Sequence, residues 1–241
     1  MLILILENDR KTCFYTGLPT YKVFRTLFDL HPYHSFLQRS VPNIDHFFAT
    51  LVYLRLHTPM EDVATRLQIS QPNVSCMFHS WIETMYHNLQ PLVTWPDTET
   101  LQQNMPDAFR KHFSRVKCIV DCFEIFTERP LSFQARGATY SNYKKHNTVK
   151  VFIAVSPTGA ITFISKAWTG RVSDKVITQK SGFLDHIEYG DVVLADRSFD
   201  VHDDLALIGA QLEIPAFTIG KSQLSREEVE KSRRLACSYS R

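Results

Sequence analysis

Hydrophobic positions recur with helical spacing in the first part of the chain. Between residues 44 and 56 the apolar side chains form one helical face, which stops at Thr58-Pro59 because proline lacks an amide hydrogen and restricts the residue before it. A second helix is predicted at residues 60–67, and a tight connection at residues 68–70 leads into a third. On the third helix, apolar residues at steps of four, three and four predict one buried stripe, formed by Val74, Phe78, Trp81 and Met85.

The spacing of apolar residues changes after a polar stretch marked by prolines at residues 91–106. Beyond it, short runs rich in β-branched residues predict strands, and longer runs with helical spacing predict helices. The predicted strands cover residues 117–123, 149–155, 161–164, 191–195 and 212–217. The predicted helices cover residues 173–187 and 201–208. Three antiparallel strands followed by alternating helices and strands indicate a mixed α/β layer fold.

These patterns divide the chain into four segments. An N-terminal helical segment is predicted at residues 1–40, and an all-α helix-turn-helix domain at residues 41–92. The polar stretch and its flanks form a linker at residues 93–116. An α/β domain with a mixed sheet is predicted at residues 117–241.

Composition narrows the classes of protein that fit this pattern. With 241 residues and 44% hydrophobic side chains, the chain can bury a substantial core. The formal net charge is only +2, so contact with nucleic acid is expected from local patches. Five cysteines without paired close spacing indicate a reducing compartment. The apolar run at residues 1–6 is too short to span a membrane and is interpreted as the end of a helix, so an intracellular protein is expected.

Two aspartates stand where a charge is costly. Asp121 interrupts an apolar predicted strand, and Asp196 ends another. In a sheet of ribonuclease H type, the first strand of the meander and the first strand after the crossover helix are neighbours, so the two carboxylates can converge. Convergent carboxylates suit hard cations such as Mg²⁺ or Mn²⁺, and two such ions can promote phosphodiester transfer. The alternative is that both are structural aspartates.

Longer motifs connect these aspartates to a known family. The motifs are Gly-Arg-Val-Ser-Asp-Lys at residues 170–175, Ser-Gly-Phe-Leu-Asp at 181–185, Gly-Asp-Val-Val-Leu-Ala-Asp-Arg-Ser-Phe at 190–199, Ile-Pro-Ala-Phe-Thr at 214–218 and Leu-Ser-Arg-Glu-Glu-Val-Glu at 224–230. In this order they closely resemble the DDE superfamily endonuclease domain of Harbinger-like transposases. The resemblance covers about residues 117–236, and the helical stretch before it resembles the helix-turn-helix that precedes this domain in the same family.

The resemblance implies a ribonuclease H-like fold and a set of catalytic residues. It makes Asp121 the first catalytic aspartate and Asp196 the second, which together hold divalent metal. It makes Asp174 an accessory metal ligand or a helix cap, and the alternative is that Asp174 is only the neighbour of an N-cap residue. Ser198 stands where the family usually has glycine, which would strain the turn if the backbone there needs a positive φ. The family's third acid is a glutamate on the final helix, expected shortly after residues 234–236. This chain diverges from the family there. The catalytic set and the final helix are therefore predicted to be incomplete.

Two surfaces are candidates for DNA contact. Gln71, Asn73 and Ser75 are expected to face outward at the start of the third helix, where amide side chains can pair with adenine in the major groove. Lys144 and Lys145 belong to a basic cluster interleaved with tyrosines, which is a second candidate. The other basic members of that cluster are Arg136, His146 and Lys150. The alternatives are that the helices only pack together and that the cluster is an ordinary charged loop.

Two functions fit these observations. The first is a transposase-derived DNA endonuclease that depends on Mg²⁺ or Mn²⁺, inactive if the third acid is lost. The second is a non-catalytic DNA-binding or protein-interaction module domesticated from a transposase. Both predict DNA as a partner, with room for a separate DNA-binding partner protein, no membrane, and a nuclear location ahead of a cytoplasmic one. The sequence does not determine the oligomeric state.

Overall fold

The computed structural model describes residues 5–31 and 41–216, and the single positions 225, 226, 229, 230 and 233. The chain divides into two compact units, residues 1–92 and residues 93–241. No helix within the described ranges has the length and apolar character needed to cross a membrane.

The first unit is helical. Its α-helices are α1 (Asp9–Thr16), α2 (Tyr21–Asp29), α3 (Asn43–Leu56), α4 (Met60–Leu67) and α5 (Gln71–Leu89), and a short 3₁₀ turn (Gln90–Leu92) follows them. The predicted bounds of α4 are confirmed. The predicted helix end at residues 1–6 cannot be compared, because residues 1–4 lie outside the described residues.

Aromatic side chains fill the core of the first unit. Trp81 of α5 is fully buried, and its ring lies 5.2 Å from Phe47 of α3 and 6.2 Å from Phe28 of α2, measured between centroids. The predicted stripe on α5 is largely confirmed, but Phe78 is only half-buried and Met77 is fully buried beside the stripe. The core therefore spans slightly more of the helix than a step pattern of four, three and four predicts.

The connection between α4 and α5 is a tight cap without glycine. Gln68 adopts a left-handed conformation with φ of 56°. Its amide donates to the Thr65 carbonyl at 3.3 Å, and the Ile69 amide donates to the Ala64 carbonyl at 3.1 Å. These two bonds form a Schellman motif, which satisfies carbonyls left unpaired at the end of α4. The turn predicted at residues 68–70 is thus present, with glutamine in a position that favours glycine.

The second unit is an α/β layer. Two short helices, α6 (Thr98–Gln103) and α7 (Asp107–His112), lie in the stretch that was assigned to a linker from its composition. The remaining elements follow in chain order. They are β1 (Val116–Phe126), α8 (Phe133–Thr139), β2 (Tyr140–Ser141), β3 (His146–Val155), β4 (Ile161–Ile164), β5 (Trp168–Thr169), α9 (Asp174–Lys180), a 3₁₀ turn (Phe183–His186), β6 (Val192–Leu194), α10 (His202–Ile208) and β7 (Gln211–Glu213).

Within the described part of this unit, the strands form one mixed sheet in the order β2-β3-β1-β6-β7, and β4 and β5 also pair with β3, on the edge that faces away from β1. β1 runs antiparallel to β3, whereas β6 is parallel to both β1 and β7. The antiparallel meander followed by parallel strands confirms the predicted ribonuclease H-like α/β fold. The two faces of the sheet have separate cores, with Cys118 and Val193 in one and Val116 and Leu194 in the other. Val116 and Cys118 enter different cores although they are two residues apart, because the pairing of β1 with β6 shifts register between them.

Several predicted bounds in this unit are wrong. The first strand extends to Phe126, three residues further than predicted, because its pairing with β3 continues from Ile119 to Phe126. The helix predicted at residues 173–187 ends at Lys180, since Gly182 has φ of 83° and starts a separate 3₁₀ turn. The last strand ends at Glu213 rather than at residue 217, which lies outside the described residues. Neither α8 nor β2 was predicted.

Candidate functional site

Parallel pairing of β1 with β6 brings the two predicted catalytic aspartates together. In this ladder Ile119 lies opposite Leu194. Asp121 and Asp196 each follow two residues later, so the same register continued places them side by side at one end of the parallel pair. The sequence prediction that these carboxylates converge therefore agrees with the observed topology.

The charge on Asp121 is destabilised by its surroundings. Although Asp121 is exposed as a residue, partial burial of its carboxyl group raises its pKa above the ordinary value. The negative charges of Asp196 and Asp174 raise this pKa further, whereas a hydrogen bond from the Cys122 amide, at 2.7 Å, opposes the shift. The three carboxylates are thus close enough to repel one another, as expected for a site that binds a cation.

Ser198 connects two of the carboxylates. Its hydroxyl oxygen lies 2.6 Å from Oδ1 of Asp196 and 3.2 Å from Oδ2 of Asp174, and its backbone amide donates to the same Asp196 oxygen at 2.8 Å. Because a serine hydroxyl has a single hydrogen, it can donate to only one of the two carboxylates at a time. A glycine at this position would lack the hydroxyl and leave the two carboxylates without this link.

The strain suggested for Ser198 is absent. Within the described residues, the non-glycine positions with positive φ are Glu7, His57, Gln68 and Lys145. Ser198 is not among them, so the expectation of a strained turn beside Asp196 is wrong. The backbone there adopts a conformation open to any residue, and the serine side chain supplies the local hydrogen bonds instead.

Behind the aspartates lies a buried ion cluster. Lys150 is the cross-strand partner of Glu124, and its Nζ lies 2.9 Å from Oδ1 of Asp174 and 3.8 Å from Oε1 of Glu124. The side chains of Lys150, Asp174 and Glu124 are 12%, 18% and 6% exposed. Thr148 donates to the other oxygen of Glu124 at 2.7 Å. Lys150 thus supplies a positive charge that neutralises part of the acidic group.

The two cysteines of β1 do not behave as nucleophiles. Cys118 is fully buried, and burial raises the pKa of its thiol. Burial, together with the charge and hydrogen bond of Asp174, raises the pKa of Cys122 as well. A thiol held in its protonated form is inert as a nucleophile.

Comparison with known proteins identifies the second unit. Residues 120–240 match the family model described as DDE superfamily endonuclease. The chain belongs to this family. Residues 39–91 match a second model, helix-turn-helix of DDE superfamily endonuclease. No curated protein and no solved structure matches the chain.

These two matches make the chain a DDE transposase-derived protein, as its motifs predicted. DDE superfamily endonucleases generally use divalent metals, and their helix-turn-helix and nuclease domains indicate DNA as the partner. Within the described residues, no three His, Cys, Asp or Glu side chains are arranged to ligate a single ion. The roles of Asp121, Asp196 and Asp174 as metal ligands in this DDE endonuclease therefore stay predictions. The expected position of the third acid, after residues 234–236, lies outside the described residues.

Asp174 has partners that its predicted roles did not include. It is the first residue of α9, where Ser173 is the N-cap and accepts a bond from the Val176 amide at 3.4 Å. The Asp174 carboxylate instead bonds Lys150 and contacts Ser198. The cap itself is therefore made by the neighbouring serine, and Asp174 links the ion cluster to Asp196.

The predicted DNA contacts of the helix-turn-helix differ in exposure. Gln71 is exposed at the first position of α5, whereas Asn73 and Ser75 are half-buried. Gln71 is thus free to reach a base edge, and the other two have only part of their surface available. Arg66 of α4 forms an ion pair with Asp62 at 2.7 Å.

The basic cluster of the nuclease domain divides into two groups. Lys144 and Lys145 are exposed in the turn between β2 and β3, and Nζ of Lys144 lies 4.6 Å from the Tyr143 ring centroid. Lys150 belongs to the buried ion cluster, so its assignment to the DNA-facing group was wrong. The physical reason is its cross-strand pairing with Glu124, which turns it inward.

Sequence reasoning missed Glu124 and the structural roles of Lys150 and Ser198. The alternation along β1 offered one signal, since Glu124 is an acid at a position that shares a face with Cys118 and Cys122. Its partner could not be found that way, because pairing with Lys150 depends on the register between β1 and β3.

Proposed function

We propose that this chain is a divalent-metal-dependent DNA endonuclease of DDE type, in which Asp121 and Asp196 hold the metal and the helix-turn-helix binds DNA. The observation that carries the proposal is the parallel pairing of β1 with β6, which ends at Ile119 and Leu194, two residues before each aspartate. Membership of the DDE superfamily endonucleases supports the reaction class. The assignment to Harbinger-like transposases, a separate DNA-binding partner and a nuclear location remain predictions.

The residues present fit a hard divalent cation. Asp121 and Asp196 offer carboxylate oxygens, which Mg²⁺ and Mn²⁺ prefer. Burial, and then the charges of Asp196 and Asp174, raise the pKa of Asp121, and a bound cation would favour its charged form. When bound, such a metal activates the attacking hydroxyl and stabilises the leaving oxygen of a phosphodiester. Asp174 is close enough to add charge to the site, but Lys150 offsets part of that charge.

The protein's own groups orient the site. The Cys122 amide bonds Oδ1 of Asp121, and the amide and hydroxyl of Ser198 bond Oδ1 of Asp196. Each aspartate therefore has one oxygen engaged by the protein, and its orientation is set before a metal or DNA arrives. Such preorganisation lowers the cost of assembling a catalytic geometry.

The decisive experiment is nicking of supercoiled DNA in Mn²⁺ by the full chain and its variants. Asp121→Ala and Asp196→Ala are expected to lose nicking by a factor of about 10² or more, since each removes a predicted metal ligand. Asp203→Ala is the matched control, because the Asp203 side chain is 96% exposed and lies outside the site. Equal activity in all four proteins would reject the catalytic assignment.

DNA binding is measured separately from cleavage. Binding is expected to weaken steeply with salt, and Gln71→Ala is expected to reduce preference for a target sequence without changing nicking chemistry. Salt-sensitive binding with no cleavage under any divalent metal would favour the non-catalytic module over the nuclease. DNA binding that changes neither with salt concentration nor in Gln71→Ala would reject the proposed role of the helix-turn-helix.

A further inference from the structure

An open groove lies beside α8 in the second unit. It has a volume of about 430 Å³ and is lined by Phe133, Arg136, Gly137, Tyr140, Asn142 and Arg171. This volume falls within the range of about 300–1,000 Å³ that is typical of small-ligand sites. The groove is distinct from the carboxylate site, which lies on β1, β6 and the start of α9.

The lining combines exposed aromatic faces with positive charge. Phe133 is 84% exposed and Tyr140 is 39% exposed, so both rings are accessible to a ligand. The Arg136 guanidinium lies 4.9 Å from the Phe133 ring centroid, and its Nε and one terminal nitrogen each donate to the Pro130 carbonyl at 3.3 Å. Among the described residues, the groove has no carboxylate in its lining.

Backbone contacts hold the two sides of the groove together. The Arg171 amide donates to the Ala138 carbonyl of α8 at 3.3 Å, and the Gly170 amide donates to the Thr148 carbonyl of β3 at 3.0 Å. A Cβ at Gly170 would lie 2.8 Å from the Thr139 carbonyl oxygen, so only glycine allows this approach. Arg171 is therefore fixed beside α8 by the glycine that precedes it.

The groove is close to the predicted catalytic residues. Arg171 precedes Asp174 by three residues, so their Cα atoms are at most about 11 Å apart. At the B-form rise of about 3.4 Å per nucleotide along a strand, this corresponds to about three nucleotides. Ser198 links Asp174 to Asp196, with its hydroxyl 3.2 Å from the first carboxylate and 2.6 Å from the second. A DNA strand with its scissile phosphate at Asp196 would therefore pass Arg171 within a few nucleotides.

We infer that this groove binds an unpaired nucleotide of the DNA substrate, which stacks on Phe133 and Tyr140 while Arg171 binds the phosphate. Base stacking on aromatic side chains together with arginine is the usual chemistry of single-strand recognition. Asn142 supplies an amide that can pair with a base edge. Lys144 and Lys145, exposed in the adjoining turn, continue the positive surface along the strand. The inference deepens the proposed function, and takes DNA as the partner from it.

Gly137 allows a test that fills the groove and keeps the fold. It lies in α8 without a positive φ, and a Cβ added there meets no atom within 4 Å. Because Gly137 lines the groove, Gly137→Leu is expected to narrow it, and leucine is a better helix former than glycine. Gln134→Leu is the matched control, because it adds the same side chain to an exposed position of α8 that does not line the groove.

The probe is a DNA duplex with one unpaired 2-aminopurine, compared with a fully paired duplex, in EDTA to prevent cleavage. The full chain is expected to prefer the unpaired probe and to change its fluorescence through stacking. Gly137→Leu and Phe133→Ala are expected to bind the unpaired probe about 5- to 150-fold more weakly, the range for loss of one stacked base. Both variants are expected to bind the paired duplex as before, and Gln134→Leu to behave as the unmodified chain.

No preference for the unpaired probe, or an unchanged preference in Gly137→Leu, would overturn the inference. So would equal weakening toward both duplexes, which indicates a general loss of DNA binding. Asp121→Ala separates this result from the proposed function, because it is expected to abolish cleavage and to keep the fluorescence change. Cleavage that survives Asp121→Ala would reject the catalytic proposal and leave the groove result standing.

Discussion

Replacing Lys150 with methionine tests whether the ion cluster behind the aspartates stabilises the fold. Methionine keeps the length and apolar stem of lysine but removes its charge. In the native chain that charge lies 2.9 Å from Asp174 and 3.8 Å from Glu124. The substitution leaves two largely buried carboxylates beside Asp121 and Asp196 without their nearest cation.

The magnitude follows from burial. Lys150 and Asp174 are 12% and 18% exposed, and breaking a buried pair from one side costs about 3–5 kcal/mol because the other charge stays buried. The remaining exposure places the expected loss at the lower end, about 3 kcal/mol. For a chain of this length, about 1 kcal/mol shifts Tm by about 2–4 °C, so the expected decrease is about 6–12 °C.

Thermal unfolding at pH 7 in EDTA measures this loss, with Lys175→Met as the matched control. Lys175 forms an ion pair with Asp200 at 3.2 Å, but those side chains are 39% and 86% exposed, so its loss is expected to cost about 0.5 kcal/mol. The double variant Lys150→Met with Asp174→Asn is expected to recover part of the stability, since it removes the charge left behind.

Two results would refute this reasoning. A Tm for Lys150→Met within error of Lys175→Met would mean that the cluster does not stabilise the folded chain. Equal destabilisation of the single and double variants would mean that the loss comes from packing rather than from an unpaired carboxylate.

Three further predictions concern other parts of the chain. The folded pKa of Asp121 is raised above its unfolded value, so its ionisation destabilises the metal-free fold as pH rises through the folded pKa, with no such effect below the unfolded pKa of about 3.9. Asp121→Asn should therefore raise Tm at pH 7 in EDTA but not at pH 3. A gain in Tm that is independent of pH would contradict this. Gln68→Gly should increase the free energy of unfolding by about 1 kcal/mol in urea titrations, because Gln68 has a left-handed backbone that glycine adopts without strain; a decrease would argue against the Schellman cap. Trp81→Ala should destabilise the helical unit by about 3–5 kcal/mol, because its fully buried ring packs against the rings of Phe28, His31 and Phe47. Loss of helical circular dichroism on denaturation measures this change, and a loss of stability below about 1 kcal/mol would be incompatible with this core.

The period of apolar residues was sufficient to predict the helical unit and most strands. The bounds of α4, the buried stripe on α5 and the three meander strands follow from spacing alone, because burial of one face is decided locally along a helix or strand. The aspartates in apolar strands, together with the motifs at residues 170–199, also indicated the family and its fold. Short elements such as α8 and β2 were not predictable, since their few residues carry too little periodic signal.

The assembly of the site depended on tertiary structure. Asp121 and Asp196 are separated by 75 positions, and only the parallel pairing of β1 with β6 brings them side by side. Likewise, Lys150 looked like a surface cation in sequence, but the register of β1 against β3 places it opposite Glu124 and buries it against Asp174. The residue type sets the charge of a side chain. Strand register decides which side chains contact that charge and how far it is exposed to water.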